Sequence, residues 1–353
     1  MRFLITGGCG FVGSSLALLL KEGDPSHEII ALDNLKRRGS ELNISRLKAA
    51  GIEFRHGDIR NPEDLDSLGP IDCILECSAE PSVLAGRDGS PAYVINTNLV
   101  GTINCLELAR KKGAKFIFLS TSRVYPMAAM NQLALIESDS RFELAEQQNM
   151  PGISVAGVAE EFPLEGARSL YGTTKLASEL LIHEYIEAYG LKAIINRCGV
   201  LCGPWQFGKV DQGVVVLWAA KHHWQGKLSY IGYGGTGKQV RDLLHVRDLF
   251  RLVELQLAGF DRFNGQVFNV GGGREVSVSL AELTSLCQEA TGHKIAIEAV
   301  PENRAADMPL YLTDNRKVTE ATGWKPEIGP KQIIEEITHW IKEQETILEG
   351  VLR

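Results

Sequence analysis

Three glycines, Gly7, Gly10 and Gly13, stand in the run FLITGGCGFVGSSLALLL, directly after a short apolar segment and at the start of a helical pattern. A strand that turns at once into a helix uses such glycines for three separate reasons. The first permits the tight turn, the second lets a pyrophosphate approach the backbone, and the third lets helix and strand pack closely. The unpaired N–H groups at the helix start then face the anion. Asp33 follows 20 residues after Gly13, at the end of the next apolar run. A carboxylate there accepts a hydrogen bond from a ribose 2′-hydroxyl and repels a 2′-phosphate. Arg37 and Arg38 stand close by and offer the opposite preference. Asp33 carries more weight, and the pattern predicts a dinucleotide site that takes NAD. Asp58, in the segment HGDIRN, is placed either to meet the adenine or to close an ordinary strand-end turn.

The strand–turn–helix pattern recurs. Short apolar runs at 29–32, 73–77, 116–120 and 193–195 suit strands covered on both faces. Helical spacing over 98–112 and 173–189 lies between them. Alternating β and α predicts an α/β fold: a doubly wound parallel Rossmann sheet. After residue 199 the periodicity weakens. Ser279 and Glu282 form a capping box before a helix to about 291, and a last helix covers about 331–348. The expected division is an NAD-binding domain over 1–198 and a smaller mixed α/β lobe over 199–353, with a segment near 240–275 returning to the first domain. Residues 126–168 read as a long irregular insertion of the kind that forms binding loops.

Charge and cysteine use narrow the function. The 37 Lys and Arg against 44 Asp and Glu leave a net charge of −7, which argues against nucleic acid as a partner. No apolar run is long enough to span a membrane, and the opening residues MRFLITGGCGF lack a charged leader with a cleavage site, so no secretory signal is expected. The seven cysteines include two pairs four residues apart, Cys73/Cys77 and Cys198/Cys202. Both pairs lie in apolar, strand-like runs, where a thiol serves as a small hydrophobe. No metal site is expected, and the compartment reads as reducing and cytoplasmic.

A proton relay is written into SLYGTTKLASELL, where Tyr171 and Lys175 stand one helical turn apart. A phenol ionises near ~10, too high for a base at neutral pH. An ammonium one turn away favours the phenolate, and Tyr171 then takes a proton from a substrate alcohol while hydride leaves its carbon. Thr121, just past the apolar run ending in Ser120, is placed to orient the same oxygen.

The segments ITGGCGFVGS, ALDN, HGDIRN, NTNLVGT, STSRVY, YGTTK, GKQVRDLLHVRD and FNVGGG follow one another in an order that resembles the extended short-chain dehydrogenase/reductases acting on nucleotide sugars, the NAD-dependent epimerase/dehydratase family. The resemblance spans nearly the whole chain. It implies Thr121, Tyr171 and Lys175 as catalytic residues. It implies Gly7, Gly10, Phe11, Val12, Gly13, Asp33, Asn34, Asp58 and Ile59 around NAD, with Tyr171 and Lys175 also touching it, and a structural role for Asn98. Where the sugar 4,6-dehydratases carry an Asp-Glu pair after the threonine, this chain has Ser122 and Arg123, so water elimination lacks its acid and base. DQG at 211–213 and GKQVRDLLH are similar to the CDP-tyvelose 2-epimerase branch of the family. That branch implies inversion at C2 of a CDP-hexose by oxidation to a keto sugar and hydride return. A nucleotide-sugar 4-epimerase or keto-sugar reductase uses the same residues, and a non-catalytic NAD sensor is the reading from outside enzymology.

Arg241, Arg304, Gln206 and Gln212 are the expected substrate contacts, the arginines for the diphosphate. Trp205 and Tyr233 suit stacking or core packing, and His245 a buried structural role. The run at 76–80, Glu-Cys-Ser-Ala-Glu, replaces the more usual His-Leu-Ala-Gly-Gln-like run beside the nicotinamide. The family commonly pairs the helices at 98–112 and 173–189 between subunits, which implies a homodimer or homotetramer.

Overall fold

The computed structural model describes residues 1–87, 89–208, 213–304 and 307–353. The chain forms two compact units. The first comprises Met1–Val124, Ser169–Arg197 and Leu249–Phe268, the second Tyr125–Arg168, Cys198–Asp248 and Asn269–Arg353.

The first unit is built on a seven-stranded sheet. Its strands are β1 (Arg2–Thr6), β2 (Glu28–Asp33), β3 (Glu53–His56), β4 (Cys73–Glu76), β5 (Lys115–Thr121), β6 (Ala193–Cys198) and β7 (Val267–Val270), in the order β7-β6-β5-β4-β1-β2-β3. The pairs β1–β2, β2–β3, β1–β4 and β4–β5 are parallel, and β3, EFRH, is the one strand among these that is not an apolar run. Leu4, Ile30, Ile74, Phe116 and Phe118 point into one core with Cys105, Leu106, Ala109 and Ile182 from the flanking helices. Each leucine, isoleucine or phenylalanine among them contributes roughly 1.5–3 kcal/mol on burial. The strand order reverses between β1 and β4. In sheets of this kind the crevice beyond the strand ends at that reversal holds the ligand.

Helix α1 (Phe11–Gly23) leaves the glycine loop, α2 (Gly101–Lys112) precedes β5, and α3 (Leu170–Tyr189) precedes β6. Two helices begin differently from the sequence expectation. α3 starts at Leu170, not 173, because the Ser169 hydroxyl accepts the Gly172 N–H at 3.1 Å and caps the first turn. Before α2, residues Asn96–Val100 form a π-helical turn, a feature that local spacing does not reveal and that is frequent at functional sites.

In the second unit, strand Val240–His245 is central. It pairs in parallel with Val200–Cys202 and Leu310–Tyr311 and antiparallel with Ser277–Ser279. Asp242 on this strand is fully buried, and its Oδ2 accepts the N–H groups of Gly273 and Thr313, each at 3.1 Å. Burial raises its pKa to about 6. The Ser279–Glu282 capping box is present and starts the helix Leu280–Thr291. The expected final helix is two, Pro330–Glu343 and Glu345–Leu352, broken at Gln344. The stretch 126–168 is more ordered than its sequence suggests. It carries a short helix, Met127–Met130, and two antiparallel ribbons, Leu135–Glu137 with Phe142–Leu144 and Ile153–Ser154 with Gly157–Val158. Strands of two or three residues are too short to show an alternating pattern.

Candidate active site

The glycine loop is packed against backbone on several sides. Gly7 has φ +61°, the left-handed region, and a Cβ there would lie 3.0 Å from the Cys77 carbonyl oxygen and the Ser78 backbone beyond β4. A Cβ on Gly13 would sit 2.2 Å from the Gly7 oxygen, and one on Gly8 2.6 Å from Cα of Ala31. Gly8 went unnoticed in the sequence, since its constraint comes from β2 and not from the turn. Gly10 is the N-cap of α1 and provides no side-chain cap, so the N–H groups of the first turn, at Phe11, Val12 and Gly13, have no side-chain acceptor. Uncapped N–H groups at a helix start are of the kind that take an anion such as a pyrophosphate.

Asp33 ends β2, nearly closed to solvent. Its Oδ2 accepts the Cys9 N–H at 3.0 Å and its Oδ1 the Leu35 N–H at 2.7 Å. Asn43 donates to the Cys9 carbonyl at 2.9 Å. The carboxylate therefore braces the glycine loop and keeps lone pairs for a ribose hydroxyl. Burial raises its pKa, opposed by these N–H groups. Asn34 donates to Asp58 Oδ2 at 2.8 Å, and Arg60 grips the same carboxylate through Nε and Nη2, the latter at 2.6 Å. Burial alone would raise Asp58, but these hydrogen bonds hold it at about 2. Arg60 and Lys36 both stand over the Tyr93 ring, 5.2 and 5.4 Å from its centroid. Ile59 is buried, and the absent side chain of Gly101 makes its room: a Cβ there would lie 2.5 Å from Ile59 Cδ1.

Thr121 is the last residue of β5, and its hydroxyl accepts the Arg123 N–H at 3.2 Å. Tyr171 is in the first turn of α3, half-buried, and Lys175 follows one turn later with only 2 % of its side chain exposed. The Lys175 ammonium lies 3.6 Å from Glu76 Oε2 and 3.9 Å from the centroid of the Phe118 ring. One turn further, Glu179 accepts the Ser120 hydroxyl and both Nε and Nη2 of Arg197. This buried network ties the end of β5 to α3 and β6. Neither Glu76 nor Glu179 received a role from the sequence. The available signals were a carboxylate ending an apolar strand and the i, i+4, i+8 spacing of Tyr171, Lys175 and Glu179. Asn98, in the π-helical turn, accepts the Glu80 N–H at 2.7 Å and donates to the Glu80 carbonyl at 3.0 Å and to Thr174 Oγ1 at 3.3 Å. It joins the segment after β4 to α3, a structural part.

In the second unit a cavity of ≈ 360 Å³ is lined by Met127, Asn131, Tyr233, Asn303, Arg304, Asp307 and Pro309. Arg241 is held at its side: Nη2 donates to Asp307 Oδ1 and to the Met308 carbonyl, both at 2.8 Å. Gln206 donates to the Leu201 carbonyl at 2.8 Å, and its Oε1 is buried without a hydrogen bond. Trp205 packs on Trp340, ring centroids 5.6 Å apart, and His245 is buried beside Glu336. Gln212 lies outside the described residues. Among the described residues no cluster of His, Cys, Asp and Glu is arranged to hold a metal ion, and no helix is long and apolar enough to cross a membrane. The seven cysteines form no disulfide.

Comparison with known proteins extends these observations to the whole chain. The "CDP-paratose 2-epimerase" of Salmonella typhi is 31% identical over 350 residues, covering 96% of this chain and 99% of the relative. Among solved structures, the dTDP-glucose 4,6-dehydratase DesIV of Streptomyces venezuelae, solved with NAD bound, superposes with a TM-score of 0.80 at 27% identity over 99% of this chain and all of the other. The UDP-glucose 4-epimerase of Thermotoga maritima, solved with UDP-glucose, gives 0.78 at 25% identity over 98% of this chain and 100% of that one. Residues 3–271 match the family description "NAD dependent epimerase/dehydratase". By this match and the full-length similarity to the Salmonella typhi enzyme, the chain belongs to the NAD-dependent epimerase/dehydratase family of enzymes, and NAD is its cofactor.

Proposed function

We propose that this enzyme inverts C2 of a CDP-hexose by transient oxidation and return of the same hydride. The observation that carries this reading is the 31% identity to the Salmonella typhi CDP-paratose 2-epimerase, which runs through nearly the full length of both chains. The glycine loop with Phe11 and Val12, Asp33, Asn34, Asp58 and Ile59 form the cofactor site, with Tyr171 and Lys175 at its reactive end. Bound NAD supplies the hydride acceptor and donor. Thr121 orients the substrate hydroxyl. Tyr171 removes its proton as phenolate and gives it back after inversion, with Lys175 favouring the ionised phenol. Ser122 and Arg123 offer no carboxylic acid and carboxylate to expel water, so the keto sugar returns to the alcohol. Arg241 and Arg304 hold the diphosphate, and Gln206 and Gln212 contact the sugar or base.

The reaction has an isotopic test. In heavy water, hydride return leaves the inverted carbon free of solvent deuterium, and substrate deuterated at C2 keeps its label and reacts more slowly. Deuterium entering C2 from solvent would replace this mechanism with a keto–enol one. Inversion at C4 with C2 untouched would preserve the chemistry and assign the chain to a 4-epimerase reaction.

The seven cysteines without disulfides support a reducing, cytoplasmic setting. Leu180 and Tyr189 on α3 and Val100 before α2 are exposed apolar side chains, which supports a homo-oligomer joined through these helices. Light scattering at micromolar concentration tests that: a particle of one chain's 38.7 kDa counts against it.

A further inference from the structure

Glu76 ends a strand whose other residues, Cys73, Ile74 and Leu75, are buried and apolar. Its own side chain has no exposed surface, and neither carboxylate oxygen has a hydrogen bond of ordinary length and geometry. A carboxylate left unpaired there would be strongly destabilising, as any buried ion is. Lys175 of α3 answers it, with Nζ 3.6 Å from Oε2. The other groups facing the carboxylate are the Thr6 hydroxyl of β1, the Ser78 backbone N–H and the Cys105 thiol of α2. Burial raises both Glu76 and Cys105, and Lys175 opposes the rise in each. The ammonium is thus held between a carboxylate and the face of Phe118, and its side chain runs down toward β4.

We infer that Glu76 is a positioning residue for the proton relay: its carboxylate anchors the Lys175 ammonium at the end of β4 and sets how much of that positive charge Tyr171 feels. The inference rests on the proposed roles of Tyr171 and Lys175. It gives a physical meaning to the replacement of the usual His-containing run at 76–80. A neutral residue in this position leaves the lysine charge unopposed, whereas Glu76 offsets it and holds the phenol pKa higher.

Spectrophotometric titration of the NAD-saturated full chain tests this without substrate. The phenolate absorbance of the parent protein minus that of Tyr171→Phe isolates the Tyr171 titration. Repeating the subtraction in a Glu76→Gln background should move its midpoint to lower pH by about one unit. An unmoved midpoint overturns the inference. If Glu76→Gln does not fold, a stability cycle decides. Lys175→Met strands the carboxylate and should lower the melting temperature, and adding Glu76→Gln to it should recover part of the loss. A double variant that melts no higher than Lys175→Met overturns the pairing. With an active nucleotide sugar, the acidic limb of kcat/KM should move down in Glu76→Gln in parallel with the titration. If no nucleotide sugar is turned over, the epimerase proposal fails while the titration and the cycle still decide the role of Glu76.

Discussion

Arg197 and Glu179 meet inside the first unit in a fork, with Nε and Nη2 of the guanidinium 3.0 and 2.7 Å from Oε2 of the carboxylate. Both side chains are buried, and the Ser120 hydroxyl fills the second carboxylate oxygen. Removing one member of such a pair costs roughly 3–5 kcal/mol because the other charge is stranded. Glu179→Ala should therefore lower the melting temperature strongly, and Glu179→Leu combined with Arg197→Met should lower it much less. Turnover should fall in Glu179→Ala at temperatures where it remains folded, because Ser120 loses the acceptor that fixes the strand end next to Thr121. Thermal unfolding and steady-state kinetics on the same samples separate the two effects.

Tyr171→Phe keeps the helix and removes one oxygen. NAD affinity and melting temperature should be unchanged, and turnover of an authentic substrate should drop by about 10²–10⁴, the scale of general acid–base catalysis. Turnover within a few-fold of the parent would show that another group carries the proton.

Asp33 braces the glycine loop through Cys9, and in the proposed cofactor site it also meets the ribose. Asp33→Asn replaces one of two accepting oxygens, those now bonded to the Cys9 and Leu35 N–H groups. NAD should bind at least about tenfold more weakly, as expected for loss of a charge-assisted hydrogen bond. The preference over NADP should shrink as the repulsion of a 2′-phosphate disappears. Calorimetric titration with each dinucleotide reads both changes.

The glycines divide by what surrounds them. Gly13→Ala puts a methyl 2.2 Å from a backbone oxygen and should abolish NAD binding and destabilise α1. Gly190→Ala has open space around it and only a left-handed φ of +68° to strain, so it should cost about 1 kcal/mol and leave NAD binding intact. Fluorescence titration with NAD and a melting curve for each variant check the contrast.

Asp242 titrates at about 6 in the folded chain because burial disfavours its charge. Between an unfolded value near ~3.9 and that folded value the native state holds the extra proton, so this group's stability contribution is largest at low pH and is lost as pH rises through the window. Asp242→Asn should flatten the parent's fall in stability from pH 4 to 6. It should raise the melting temperature at pH 7, provided its amide oxygen still accepts from Gly273 and Thr313. Denaturant melts at half-unit pH steps compare the two slopes.

Most of the sheet was readable because β1, β2, β4 and β5 are buried almost throughout and so appear as unbroken apolar runs, unlike the partly exposed β3, and the glycine loop because the spacing of Gly7, Gly10 and Gly13 between strand and helix is itself the signal. The place of Asp33 at the end of β2 and of Tyr171 and Lys175 one turn apart on α3 was readable for a similar reason: each depends only on its own strand or helix. What escaped was set by contacts distant in sequence. Gly8 is demanded by Ala31, the π-helical turn at Asn96–Val100 by packing around Asn98, and the place of Glu76 by a lysine 99 positions away. Arg241 illustrates the limit from the other side. Its residue type suits a diphosphate, but its engagement with Asp307 depends on two strands meeting in the second unit.

The edge strand β7 comes from Val267–Val270, long after the rest of its sheet, and the helix Val246–Ala258 before it joins Asn196 of β6 to Gln256 by two buried amide bonds of 2.9 and 2.8 Å. The cofactor-binding sheet is therefore unfinished while a ribosome has delivered only the first 198 residues. Until the later segments emerge, β6 is an open edge and Asn196 lacks the Gln256 amide, a state in which another chain's strand can pair. A fragment ending at residue 198 should consequently aggregate, not fold, and during synthesis the glycine loop must wait for most of the second unit to be made before its sheet can close.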